Sequence, residues 1–228
     1  MITIEDGAVL LARHERAVRL SIEAVHVAEG SPLDVETPCA GWDLGDLLTH
    51  MSTQNRGFTA AARGEDDPAV WEARRTIDPV GDYLRSATEV IAAFAAPEAL
   101  TRTLSLPEIP PGRFPASLAV SFHLIDSVVH AWDVARSLGR SIDLDPDLAP
   151  IALSIAEAVP TGAPRRGPDA AFAPVIAPVI DTPAESETLD RILRLLGRSP
   201  AWTPDFAHPI RNVDHRGAHS ADAHRRSW

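Results

Sequence analysis

The sequence predicts an all-α protein, a four-helix bundle carrying a short, mainly helical C-terminal extension. Two observations predict it. Apolar residues recur at helical spacing over four long segments, 4–28, 43–63, 79–96 and 116–138. Between the third and fourth lies a proline-rich crossover, 101–115, and bundles tolerate one long connection of that kind. The length of 228 residues suits one domain, or one domain with an appendage, on a prior of about 150 residues per domain.

Each element has a local reason. In the first helix, Val9, Leu10, Ala17, Leu20, Ala24 and Val27 recur with helical period, and Gly30-Ser31-Pro32 ends it. Asp43 stands where an N-cap belongs, with Asp46 three residues on. Leu44, Leu47, Leu48, Met51 and Phe58 then form one stripe of the second helix. The third helix is lined by Tyr83, Ala87, Val90, Ile91 and Phe94 and closed by Pro97. Thr101 to Leu106 has room to be extended, and Pro107, Pro110, Pro111 and Pro115 exclude a helix there. The fourth helix ends at Gly139. Further on, 147–158 and 184–197 read as helices, the latter with Leu189, Ile192, Leu193 and Leu196 on one side; 160–183 reads as a loop. These divisions predict a bundle over 1–141, an extension packed on it over 142–202, and a disordered tail over 203–228.

Composition excludes several classes. Apolar residues make up 45% and charged residues 23%, ordinary for a globular protein. One cysteine, Cys39, rules out an intrachain disulfide. A net charge of -11, with arginine as the sole basic residue besides histidine, argues against a nucleic-acid footprint. The N-terminal MITIEDG lacks the basic and apolar regions of a signal peptide, and no run of about 18 apolar residues predicts a membrane span. A cytoplasmic location, with neither nucleic acid nor membrane as partner, is the expectation.

The chemistry concentrates on the fourth helix, in His123-Leu-Ile-Asp126-Ser-Val-Val-His130-Ala-Trp-Asp133. Residues four apart share a helix face, so Asp126 and His130 project together within reach of one cation. They border the row Leu118, Phe122, Ile125 and Val129. On the second helix His50 flanks the apolar stripe, with Gln54 one turn on. If those two helices pack together, two imidazoles and a carboxylate meet, a ligand set that suits a catalytic zinc and leaves a position open. Nickel, iron or manganese accept the same donors. Taken alone, Asp-x-x-x-His also describes a hydrogen-bonded surface pair. His123 admits two readings, a proton shuttle or substrate contact, and a histidine held by hydrogen bonds within its helix. Asp133 either orients a ligand imidazole or caps backbone. Gln54 and Asn55 face either the cavity or the helix surface. Cys39, Trp42 and Trp132 read as packing residues. The tail histidines His208, His215, His219 and His224 lie in a stretch without apolar period.

Thr37-Pro38-Cys39-Ala-Gly-Trp42-Asp43-Leu-Gly-Asp-Leu47-Leu-Thr-His50 resembles the "TPC-x-x-W-x-v-x-x-L-x-x-H" segment of the DinB-like superfamily. Asp126-Ser-Val-Val-His130-Ala-Trp-Asp133-Val-Ala-Arg136-Ser-Leu-Gly139 is similar to the "D/E-x-x-x-H-x-W-D-L-A-x-x-x-G" of its mycothiol-dependent maleylpyruvate isomerase N-terminal-type metal-binding branch, known from actinobacteria. The run Leu193 to Trp202 resembles the closing "LLGRDPAW" of one group. The resemblance implies a DinB-like bundle holding one divalent metal, zinc in most members with Ni2+ or Fe2+ as alternatives, on His50, Asp126 and His130. The isomerase has a glutamate at the Asp126 position and a larger C-terminal domain than residues 142–202 provide. The resemblance also implies a thiol-dependent S-transferase or isomerase, with mycothiol as cosubstrate, a small-molecule substrate, and a homodimer. His123 is the candidate catalytic residue, and Arg136 or another arginine the candidate for an anionic group of the cosubstrate. Two other functions stay open: a non-catalytic metal-binding protein, and a biosynthetic enzyme whose metal acts as a Lewis acid without a thiol.

Overall fold

The computed structural model describes residues 4–162, 165, 172–177 and 187–205. Four long helices form the bundle: α1 Ile4–His26, α2 Leu44–Arg63, α3 Pro79–Phe94 and α4 Ala116–Ser137. Helix α1 packs chiefly on α4 and α2 on α3, and contacts of α1 with α3 and α2 with α4 complete the ring. The condition for bringing His50 towards Asp126 and His130 is therefore met.

Local chemistry sets the helix ends. The Asp43 side chain accepts the Asp46 N–H at 2.7 Å and starts α2. Gly64 ends it in the left-handed region at φ 83, with its N–H returned to the last turn. Asp78 caps α3 by accepting from Gly81 N–H, and Pro79 occupies the first turn. Within α2 the hydroxyls of Thr49, Ser52 and Thr53 donate to the carbonyls four residues back, so these polar residues are satisfied inside the bundle. At Gly57 an added Cβ would lie 2.4 Å from the ring of Trp71, which sits on the short 3-10 turn Pro68–Trp71. A side chain is sterically excluded there.

The buried face of α1 differs from the apolar stripe read in the sequence. Leu10, Ala17, Val18, Ala24 and Val25 are buried, but so are His14 and Ser21, whereas Val9 and Val27 stand about half exposed. Two polar residues occupy inward positions, and apolarity alone therefore misplaces the face. On α4, Leu118 is likewise exposed, and the helix is buried almost all round from His123 to Ala135.

The crossover contains a hairpin. Strand β1, Thr103–Ser105, pairs antiparallel with β2, Arg113–Pro115, in the register Leu104↔Phe114. The extended reading near Thr101 corresponds to β1; β2 was not anticipated. Leu104, Leu106 and Phe114 are buried against the bundle and anchor the loop between the strands. That loop carries Glu108 and a cis Pro110–Pro111 bond. Beyond the bundle, α5 Ala149–Ala158 packs on α4 and on α6 Glu187–Leu195, which buries Ile192 and Leu193. No helix of the described residues is long and apolar enough to cross a membrane. The histidine-containing tail lies outside the described residues.

Candidate metal centre

His50 on α2 and Asp126 and His130 on α4 come together inside the bundle. Their ligand atoms all lie within 4.8 Å of one another, and all three residues are buried. The His50 and His130 rings meet edge to face with centroids 5.2 Å apart. Asp126 Oδ1 lies 3.2 Å from His130 Nε2. Trp42 is half-buried and covers the other side of His50 at 4.8 Å between centroids. Trp42 therefore stands against the cluster, whereas Trp132 is buried in the core. The Thr37 hydroxyl, donating to Trp42 C=O at 2.9 Å and accepting from Cys39 N–H at 3.1 Å, folds the loop that delivers both residues.

Behind His130 stands a second group. His130 Nδ1 donates to Asp133 Oδ2 at 2.9 Å. Asp133 is fully buried and receives Arg198 Nε at 3.0 Å and Nη2 at 3.0 Å on its two oxygens. The Cys39 thiol donates to Asp133 Oδ2 at 3.2 Å, and Arg198 Nη2 donates to Cys39 Sγ at 3.2 Å. Cys39 is thus part of a polar network rather than simple packing. Of the two readings of Asp133, the geometry matches the one in which its carboxylate orients an imidazole, that of His130. With Nδ1 committed to Asp133, His130 offers Nε2 to the cluster.

Electrostatics separate these groups. Burial, with the neighbouring His130, drives His50 down to about 3, so its imidazole is neutral. Burial works against a charged His130, but the Asp126 carboxylate and the hydrogen bonds His130 donates to both aspartates outweigh it and hold His130 well above its ordinary value. The same attraction overcomes the desolvation of Asp126 and lowers it. Asp133, desolvated but paired with Arg198 and His130, falls to about 2. The cluster thus favours a positive charge between its carboxylates.

One atom tests whether a cation fits. His50 Nε2 is buried and has no hydrogen-bond partner. A buried polar atom left unpaired is costly, whereas a metal ligand has its lone pair used. Cys39, His130 and Asp133 also approach within 4.8 Å, but there the Asp133 and Cys39 atoms are already held by Arg198. The donor set His50, Asp126 and His130 fits a divalent metal; the second set fits a support for it.

Other expected residues fall elsewhere. His123 does not join the cluster. His14 Nε2 lies 2.8 Å from its Nδ1, and its Nε2 lies 3.0 Å from Asn55 Oδ1. Burial lowers it to about 4, and Phe58 packs edge-on at 4.7 Å. The residue expected as catalytic thus lies in a core network of α1, α2 and α4, with a hydrogen-bond partner at each ring nitrogen. Gln54 and Asn55 are both buried, not on the helix surface. Arg136 donates to Pro200 C=O at 2.8 Å and lies over the Trp132 ring, so it fastens the C-terminal segment rather than facing the cluster. Two residues escaped sequence reasoning. Arg198 lies in the Leu193–Trp202 motif, which was visible but carried no role. Glu108 lies in the proline-rich stretch, where nothing marked it; its carboxylate accepts Gln54 Nε2–H at 2.9 Å.

The comparisons agree with this architecture. Two proteins of Mycobacterium tuberculosis, uncharacterized protein MT0763 (strain CDC 1551 / Oshkosh) and uncharacterized protein Rv0738 (strain ATCC 25618 / H37Rv), are each 30% identical over 130 residues, 57% of this chain and 68% of theirs. The crystal structure of the mycothiol-dependent maleylpyruvate isomerase superposes with a TM-score of 0.52 at 13% identity, covering 69% of this chain and 71% of that one, a likeness of fold. The family model for the mycothiol maleylpyruvate isomerase N-terminal domain matches residues 11–135, more than half of the sequence. The chain belongs to the mycothiol maleylpyruvate isomerase N-terminal domain family.

Proposed function

We propose that this protein is a divalent-metal-dependent enzyme of the thiol-dependent S-transferase or isomerase type, holding zinc, or nickel or iron in its place, on His50, Asp126 and His130, with a small thiol such as mycothiol as cosubstrate. The observation that carries the reading is the orphaned, neutral His50 Nε2 among the ligand atoms of Asp126 and His130. Membership of a family named for a mycothiol-dependent isomerase supports the choice of thiol.

The chain's own residues prepare the reaction. His50 presents a lone pair because burial keeps it unprotonated. Asp133 accepts Nδ1–H of His130 and fixes which nitrogen faces inward. Arg198 in turn neutralises Asp133, so that carboxylate stays ionised in the interior without drawing the His130 ring out of place. Trp42 shields one side of His50 from water. A divalent metal held by His50, Asp126 and His130 would supply Lewis acidity, which favours the thiolate form of a thiol bound beside it. His130 must release its proton for the site to load.

Metal analysis of the full chain beside its His50→Ala and His130→Ala variants tests the reading. About one divalent metal per chain above the variants' level is the expected result for a three-ligand site. The subtraction removes whatever the tail histidines bind. Equal metal content in all three proteins overturns the assignment.

A further inference from the structure

On α2, Gln54 follows His50 by one turn, so the two side chains share a face. Gln54 is 2% exposed, yet its Oε1 has no hydrogen-bond partner. Its Nε2 donates to Glu108 Oε2 at 2.9 Å. Glu108 is half-buried at the loop of the β1–β2 hairpin, which Leu104, Leu106 and Phe114 hold against the bundle. The hairpin thus brings a carboxylate, otherwise remote in sequence, to the His50 face of α2. It also lies close enough to Asp126 for the two carboxylates to repel: burial raises Glu108, and the Asp126 charge raises it further.

Two buried acceptors one turn apart, His50 Nε2 and Gln54 Oε1, are left without donors. The first is explained by a cation. The second is not, since a neutral amide oxygen beside a carboxylate calls for an N–H or O–H group. Among the described residues nothing supplies one to that atom. A ligand anion would face Glu108 and Asp126 together, with Arg198 already committed to Asp133. A ligand hydroxyl or ammonium would satisfy Gln54 Oε1 and the Glu108 carboxylate at once.

We propose that Gln54 and Glu108 form the recognition wall beside the His50–Asp126–His130 cluster, and select a thiol whose arm carries a hydrogen-bond donor, a hydroxyl or a protonated amine, over one whose arm carries a carboxylate. The inference rests on the thiol reading above and adds the chemical class of the thiol. Gln54 and Glu108 are specificity residues that touch the ligand's arm, away from the reacting sulfur.

The test uses the full chain loaded with Co2+, whose visible spectrum reports thiol ligation. Three thiols of similar reach are titrated: cysteamine, 2-mercaptoethanol and 3-mercaptopropionate. Cysteamine and 2-mercaptoethanol are expected to bind at least about ten-fold more tightly than 3-mercaptopropionate, the scale of one hydrogen bond to a charged group. In Glu108→Gln and in Gln54→Met the preference is expected to shrink to about two-fold or less, with the larger loss for cysteamine in Glu108→Gln. Helical circular dichroism equal to that of the unaltered protein, with Co2+ uptake above that of His50→Ala, reports that each variant is folded and its site loaded. Equal affinities in the unaltered protein overturn the inference while leaving the thiol reading intact. A preference for 3-mercaptopropionate, as an amide turned the other way round would give, also overturns it, as does a preference that survives both substitutions. If no thiol changes the spectrum of the Co2+ protein, the thiol reading falls and the inference with it.

Discussion

A buried imidazole nitrogen without a partner forfeits about 1–3 kcal/mol of hydrogen bonding. His50 Nε2 is in that position, and the proposed metal site predicts a trade between stability and function at this one residue. His50→Leu in the metal-free protein is expected to raise stability by about 1 kcal/mol while abolishing metal retention. Urea unfolding in the presence of a chelator checks the first part; a clear fall in stability would mean that His50 has a structural partner. Arg198 poses the opposite case. It is the counter-charge of a fully buried carboxylate, and Arg198→Met strips Asp133 of its guanidinium hydrogen bonds and leaves only His130 and the Cys39 thiol as partners. That substitution is expected to destabilise the fold by about 3–5 kcal/mol. Asp133→Asn should weaken metal affinity by roughly ten- to a hundred-fold, because the imidazole exchanges a carboxylate acceptor for a weaker, neutral amide oxygen. Competition with a chromophoric chelator measures it, and unchanged affinity would remove Asp133 from the metal centre. Asp126 and His130 were legible in the sequence because helical geometry alone puts residues four apart on one face. Arg198 and Glu108 were not, because each reaches its partner across more than fifty residues of chain.

At the scale of elements, helix α2 carries the greatest constraint. It supplies His50 and Gln54, starts at the Asp43 cap and passes so close to Trp71 that only glycine fits at 57. Intrinsic propensity favours Ala over Gly in a helix by about 1 kcal/mol. A Cβ 2.4 Å from a ring carbon outweighs that gain, since overpacking costs about 1–3 kcal/mol. Gly57→Ala is therefore expected to lower stability by about 1–2 kcal/mol net, and Gly57→Ala combined with Trp71→Leu to recover most of it, read by thermal unfolding. The Asp43 cap was evident from its place ahead of the apolar run. The tight approach at Gly57 was not, since the ring it meets belongs to a separate turn. The hairpin was half legible for a related reason. Prolines excluded a helix over 101–115, but pairing of Thr103–Ser105 with Arg113–Pro115 depends on how Leu104 and Phe114 find the bundle.

At the scale of the whole molecule, the interior holds histidines that must stay neutral. His14 and His123 are buried on facing helices, linked to each other and to Asn55, and burial depresses both, His123 to about 4. In the unfolded chain they titrate near 6.5. The unfolded state therefore binds more protons below that value, and stability falls as the pH drops from about 6.5 towards 4. His50 acts in the same direction, and His130, raised by its aspartates, acts in the opposite one. Three depressed groups against one raised group leave a net acid destabilisation, expected to be a few kcal/mol between pH 7 and pH 5. Chemical denaturation of the metal-free protein at the two pH values tests this, and stability that is flat or greater at pH 5 contradicts it.

What the sequence determined by itself was local. Helix period, caps and breakers depend on residues within a few turns of one another, so the bundle, its crossover and the Asp126–His130 pair could be read from it. Tertiary structure decided which polar residues face inward. His14, Ser21 and His123 are core residues because the packed helices bring their hydrogen-bond partners together, His14 with His123 and Asn55 across α1, α4 and α2, and Ser21 with Tyr83 across α1 and α3. It also decided what stands around His50, Asp126 and His130. Asp133 becomes the support of His130 only because Arg198 arrives from beyond α6 to neutralise it, and Gln54 faces Glu108 only because a hairpin folds back. Burial of charge and of unpaired polar atoms is a property of the assembled interior, and no local pattern encodes it.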